Sequence, residues 1–237
     1  MRKTTALQAD GWVTTCVLAA AFFIGAVVAG SVDRALGHLV RALWLADNWI
    51  GSASLTASRR RRWQSARQAA ATAERRGDRD QYERFARVRA SISPAEPQRP
   101  TWMGDRIAAV DARVRAQYGL DLASTWPRLW LLLSPAIREE VTRATEAWSR
   151  SGALAGWGLL YAAIGPWWWP CVLVGIAVFL IGWHAGRQAI SELSVLVEAA
   201  VDVFGTELAS ALGVETPSGR LDAGSGRKIT ALLRKGS

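Results

Sequence analysis

The chain has 237 residues, a net charge of +9, half its residues apolar and 13 tryptophans, a composition that excludes an intrinsically disordered protein. Its two cysteines, Cys16 and Cys171, lie in apolar runs with no CxxC or Cys/His spacing, so neither a disulfide framework nor a zinc site organises the fold. The charge is uneven: residues 33–150 hold 21 basic and 13 acidic side chains, whereas residues 187–237 hold six of each.

Arg2 and Lys3 precede an uncharged run at about residues 11–32, rich in Val, Ala and Phe and long enough for a first transmembrane helix. A signal peptide cut after Ala29 is disfavoured, because the run exceeds the usual ~7–15-residue apolar core of such peptides. Residues 38–58 mix Leu39, Leu43, Trp44, Trp49 and Ile50 with Arg41, Asp47 and Asn48. Charges at mid-span cost ~2.5–3.5 kcal/mol each, so this stretch is expected to be an interfacial helix, with a second membrane span as the alternative. Residues 1–58 thus form the N-terminal membrane portion.

Residues 59–150 are expected to be a basic, helical, cytoplasmic segment. Arg59, Arg60, Arg61 and Arg62, followed by Trp63, suit a topological anchor touching anionic lipid headgroups. Nucleic acid is disfavoured as a partner, since no aromatic platform or reader motif accompanies the run. Gly77-Asp78 predicts a break with Asp78 capping a new helix, and Pro94, Pro97 and Pro100 mark a linker. Met103, Ile107, Val110, Val114 and Tyr118 recur at helical spacing up to a C-capping Gly119. Asp121 opens a short helix that Pro127 is expected to interrupt or restart.

Pro100-Thr101 with Met103-Gly104-Asp105, Tyr118-Gly119-Leu120-Asp121 and Trp126-Pro127-Arg128-Leu129 resemble motifs of an uncharacterised integral membrane protein family of actinobacteria and cyanobacteria. The resemblance covers roughly residues 100–203 and implies an N-terminal span, a cytoplasmic middle and a late hairpin, with no established activity. Trp102 and Asp105 depart from that family's basic residue and Asn.

Ser134-Pro135 is a strong helix start. Beyond it, residues 151–186 contain no Asp, Glu, Lys or Arg. That length overshoots one crossing and suits a transmembrane hairpin whose tip, residues 165–170, is Gly-Pro-Trp-Trp-Trp-Pro. Trp167, Trp168 and Trp169 are expected at the membrane interface. Gly152/Gly156 and Gly182/Gly186 are small-residue pairs expected to pack helices, either the two arms against each other or a homo-oligomer seam. Residues 187–213 carry the cleanest amphipathic stripe, in which Leu193, Val197, Val201, Phe204 and Leu208 form a possible partner face. Residues 214–237 are expected to be a disordered tail.

No HExxH, GxSxG or phosphate-loop spacing occurs, and no catalytic, cofactor or metal residues are assigned. The expectation is an all-α integral membrane protein of a bacterial plasma membrane, multi-pass, with a helical hairpin and cytoplasmic amphipathic helices. Its expected role is a non-enzymatic interaction or scaffold protein, with an oligomeric pore or transport accessory as the alternative. Its expected partners are the lipid bilayer, anionic headgroups, and an unidentified protein or a second copy of itself.

Overall fold

The computed structural model describes Phe23 and residues 30–234, apart from Asp33, Asn48, Pro217 and Ser218. Most of the expected first span, residues 11–32, lies outside these, as do residues 235–237. Among the described residues the fold is all-α, with eight helices and no strand. They are α1 (34–45), α2 (Ser52–Arg75), α3 (Arg79–Ile92), α4 (Trp102–Tyr118), α5 (Leu122–Leu132), α6 (Pro135–Ile164), α7 (Pro170–Ala211) and α8 (Ala223–Arg234).

The backbone of the molecule is the antiparallel pair α6–α7. Ser134 accepts from Ile137 N and Pro135 occupies the first helical position, so α6 starts where its donors need no intrahelical partner. It ends at the tryptophan turn, and Pro170 starts α7 in the same way. The two helices approach backbone to backbone at three glycines. A Cβ at Gly158 would lie 2.6 Å from Phe179 N, one at Gly175 2.6 Å from Gly158 O, and one at Gly182 2.7 Å from Ala155 N. At ~1.5 Å per residue α7 is about 63 Å long without a break. Of the described helices, α7 alone is long and apolar enough to cross a membrane.

Two cores flank this pair. In one, Trp44 of α1 sits among Trp148, Phe179 and Trp183, with ring centroids 5.5, 6.4 and 5.3 Å away, beside Met103 and Ile190. In the other, α4, α5 and α8 pack on the far half of α7 through Val110, Val114, Leu129, Val201, Leu208 and Ile229. Thr101 caps α4 by accepting from Gly104 N, and Gly119 ends it in the left-handed region at φ +67.

Three expectations change. Residues 38–58 are not one helix: 38–45 complete α1, the chain turns at Gly51 with φ +92, and α2 begins at Ser52. The left-handed glycine and Trp49 N donating to Ser52 Oγ make that turn. Pro127 does not interrupt α5, which runs through it. Ala123 and Pro127 both line an open groove, where water can take the carbonyl that Pro127 leaves without a donor. Residues 214–237 are not all tail, because α8 buries Ile229 completely and is anchored at both ends. Asp222 Oδ1 accepts from Ser225 N at 2.6 Å, and Arg234 reaches Asp121 at 2.9 Å. Gly226 lets α8 cross so close to the end of α4 that a Cβ there would overlap the Tyr118 carbonyl.

Candidate interaction arm and its fastening

α2 and α3 form an arm that packs mainly on itself. Trp63, Ala66, Ala70 and Ala73 give α2 an inner face, Gly77 at φ +70 reverses the chain, and Asp78 caps α3 by accepting from Gln81 N at 3.0 Å. None of the residues of α3 is fully buried. Residues 52–92 hold eleven arginines and four acidic side chains, so the arm carries +7 of the chain's +9.

The arm is fastened at the C-terminus of α3, where the last carbonyls of a helix lack intrahelical donors. Arg59 Nη2 donates to Ile92 O at 2.6 Å, Arg187 Nη2 to Ser91 O at 3.2 Å, and Trp63 Nε1 to Ser93 O at 3.2 Å. Trp102 Nε1 makes a longer contact with Ala90 O at 3.4 Å. The donors come from α2, α4 and α7, and cations suit the negative end of a helix dipole. Arg187 also stacks on Trp102 at 4.5 Å, and burial together with the nearby Arg59 charge pulls its guanidinium below the ordinary arginine value.

Asp105, 4% exposed, compensates this concentration of positive charge. Its Oδ1 accepts from Gln98 N and Arg99 N at 2.9 and 2.8 Å, while Oδ2 lies 2.7 Å from Arg59 Nη1 in an ion contact that is not aligned as a hydrogen bond. Arg99 pairs with Asp47 at 2.8 Å and donates to Leu45 O, and Thr101 donates to Trp44 O. The proline-rich linker is thereby tied to both α1 and α4.

Of the arginine run, Arg59 and Arg60 turn inward, Arg60 to Pro97 O and Glu96. Trp63 is buried, so of the five residues expected to touch headgroups only Arg61 and Arg62 lie exposed without an ion pair among the described residues. Trp167, Trp168 and Trp169 project from the hairpin tip. Gly152 and Gly156 receive α1 at Arg41, Leu36 and Gly37, Gly182 receives α6, and Gly186 receives the Trp44 ring. All four glycines are therefore filled by the chain itself. The expected partner face is likewise covered: Val201 and Leu208 are buried, and Leu193, Val197 and Phe204 pack on the two cores. Asp105, Trp102, Arg187 and Trp44 are the residues missed, and the one local signal that could have pointed to this corner is Thr101 three residues before Gly104, the spacing of an N-cap.

An open groove of about 910 Å³ lies between α4, α5 and the α1–α2 turn, lined among others by Arg99, Asp111, Arg115 and Trp126. Both arginines there are already paired, Arg115 with Asp111 at 3.0 Å. Among the described residues no three His, Cys, Asp or Glu gather as metal ligands. Tyr118 donates to Asp202 at 2.7 Å, and burial with that carboxylate pushes its hydroxyl up to about 12, which suits a structural hydrogen bond better than proton transfer. Comparison with protein-family profiles, curated proteins and solved structures finds no match for this chain.

Proposed function

We propose that the chain is a membrane-anchored, non-enzymatic interaction protein: the α6–α7 hairpin holds it in a bacterial plasma membrane and the α2–α3 arm is the element it presents on the cytoplasmic side. One observation carries the anchoring. Leu154, Trp157, Leu159, Tyr161 and Ile164 of α6 are exposed, as are Leu173, Val174, Ile176, Leu180 and Ile181 of α7, and with Trp167–Trp169 they form an uncovered apolar belt with no charged side chain. A patch of that extent calls for lipid or protein to cover it.

The uncharged arms, 151–164 and 170–186, give ~21 and ~25 Å at 1.5 Å per residue, so a full crossing needs the tryptophan tip to reach the far headgroups and the bilayer to thin locally. The first span, residues 11–32, makes the protein multi-pass in this reading. The arginine-rich arm sets the side, because basic segments near spans stay in the cytoplasm. A glycine-seamed pore has less support, since the glycine pairs are already occupied.

Reporters fused after Pro166, Arg62 and Ser237, read alongside alkaline carbonate extraction, test this. The expected pattern is an external reporter after Pro166, cytoplasmic reporters after Arg62 and Ser237, and resistance to extraction. Release by carbonate, or a cytoplasmic reporter after Pro166, overturns it.

A further inference from the structure

Along one side of the arm runs a groove of about 550 Å³ lined by Arg62, Ser65, Ala66, Ala69, Phe85, Val88 and Ile92. We propose that this groove seats an acidic amphipathic helix of a partner protein, which completes a three-helix bundle with α2 and α3; the inference rests on the arm being the presented element.

The shape supports a helix. Its α2 side is made of Ser65, Ala66 and Ala69, small residues that let a third helix approach closely, and its α3 side of Phe85, Val88 and Ile92. Val88 is 49% exposed, and the seam continues toward exposed Tyr82, so apolar surface is left without a cover. A pair of helices with one open apolar seam lacks the third layer that bundles use to bury such a face.

The charge says what kind of helix. Arg62 lines the groove, Arg61 precedes Ser65 by four residues, Arg84 precedes Val88 by four, and Arg76 follows Ala69 by seven, so helical spacing puts all four on this side. All four are exposed, none has a carboxylate partner among the described residues, and no acidic residue lines the groove. Glu and Asp flanking an apolar stripe on the incoming helix would meet them, and such complementarity steers encounter and rejects basic competitors. From Arg62 to Arg76 the seam is about 21 Å long, four turns of helix. A lipid surface fits less well, since a flat bilayer takes a convex apolar ridge and this apolar surface is recessed. Single-stranded nucleic acid needs exposed aromatic platforms, and the only exposed aromatic residue of the arm is Tyr82.

The test uses the full chain in nanodiscs of uncharged lipid and a labelled helical peptide of about 18 residues, with Leu on one stripe and Glu on both flanks. Comparison ligands are a scrambled peptide of the same composition, a peptide with Lys in place of Glu, a single-stranded oligonucleotide, and vesicles containing phosphatidylglycerol. The acidic amphipathic peptide is expected to bind at least about tenfold more tightly than the scrambled and Lys peptides. Arg62→Glu with Arg84→Glu is expected to weaken it about tenfold or more, and Val88→Ser to weaken it at any salt concentration. Both arginines are solvent-exposed, so unchanged helicity by circular dichroism checks that the variant is folded.

Equal binding of the scrambled peptide, indifference to the substitutions, or tighter capture of the oligonucleotide or the anionic vesicles through the same residues overturns the proposal. Carbonate extraction of the unsubstituted protein reads anchoring separately: a protein that is extracted yet binds the peptide refutes the membrane reading alone. A protein that resists extraction and ignores the peptide refutes only the groove.

Discussion

Arg59 and Asp105 meet 2.7 Å apart where α2, α3 and α4 converge, and the same guanidinium caps the end of α3. Asp105→Ala strands a partly buried arginine and removes the acceptor of two backbone N–H groups. Breaking such a pair costs roughly 3–5 kcal/mol. The expected outcome is a lower Tm and rapid tryptic cleavage within residues 59–92, with Asp105→Asn intermediate because its side-chain oxygen still accepts from Gln98 and Arg99. Cleavage at wild-type rates in Asp105→Ala would show that the arm is held by other contacts.

Trp44→Ala is expected to cost about 3–5 kcal/mol, the range for deleting a large buried aromatic side chain. Its ring fills the space between α6 and α7 beside Gly186, so the loss also loosens the C-terminal end of α1 on the hairpin. Denaturant unfolding of the detergent-solubilised protein, with labelling of a cysteine at the buried Val40 as a local probe, reads both effects.

At the hairpin seam, Gly182→Ala places a methyl 2.7 Å from Ala155 N and 2.9 Å from Ser151 O, atoms of a backbone that cannot turn aside. Overpacking of this kind costs about 1–3 kcal/mol. Gly224→Ala is the control, because its nearest neighbour, Asp222 Oδ1, is 3.4 Å away. A lower Tm for the first substitution and little change for the second is the expected result.

Two carboxylates hold α8, and both are held below the ordinary value of about 3.9. Asp121 is lowered first by the hydrogen bond from Arg234, and Asp222 first by the Ser225 backbone N–H. A depressed folded-state value means that the stabilisation is fully present above the unfolded value and is lost as pH falls through the folded one. Helix α8 should therefore hold at pH ~5 and loosen below ~4, exposing the buried Ile229 and half-buried Leu233 to pepsin. Arg234→Gln should move the onset of cleavage to higher pH, and an unchanged onset would remove this ion pair from the docking of α8.

Helix ends were largely readable because their chemistry is local. Ser134-Pro135, Asp78 and Gly119 each carry the cap or the left-handed turn within a few residues. The arm's fastening was not readable, since Arg187 and Ser91 are ninety-six positions apart and no periodicity in either helix announces their contact. Surface and interior were hardest to tell apart where one stripe suits either. The Leu193–Leu208 face reads equally well as a docking surface, and only the position of α4, α5 and α8 makes it a core. Helix α8 was hidden by Gly224, Ser225 and Gly226, which look like tail, although Ser225 is buried and Gly226 packs tightly against the Tyr118 carbonyl.

Helix α7 has no joint. With no proline after Pro170, it connects the apolar belt directly to the core formed by α4, α5 and α8. In the proposed membrane setting such a rod, held at its apolar end, acts as a lever: from Arg187 to Ala211 is ~36 Å, so tilting the apolar part by about 10° would sweep the far end through ~6 Å. Arg187 lies at the near end of that lever and holds the arm, so in the proposed membrane setting a change in the tilt of α7 would displace the far helices relative to the lipid surface.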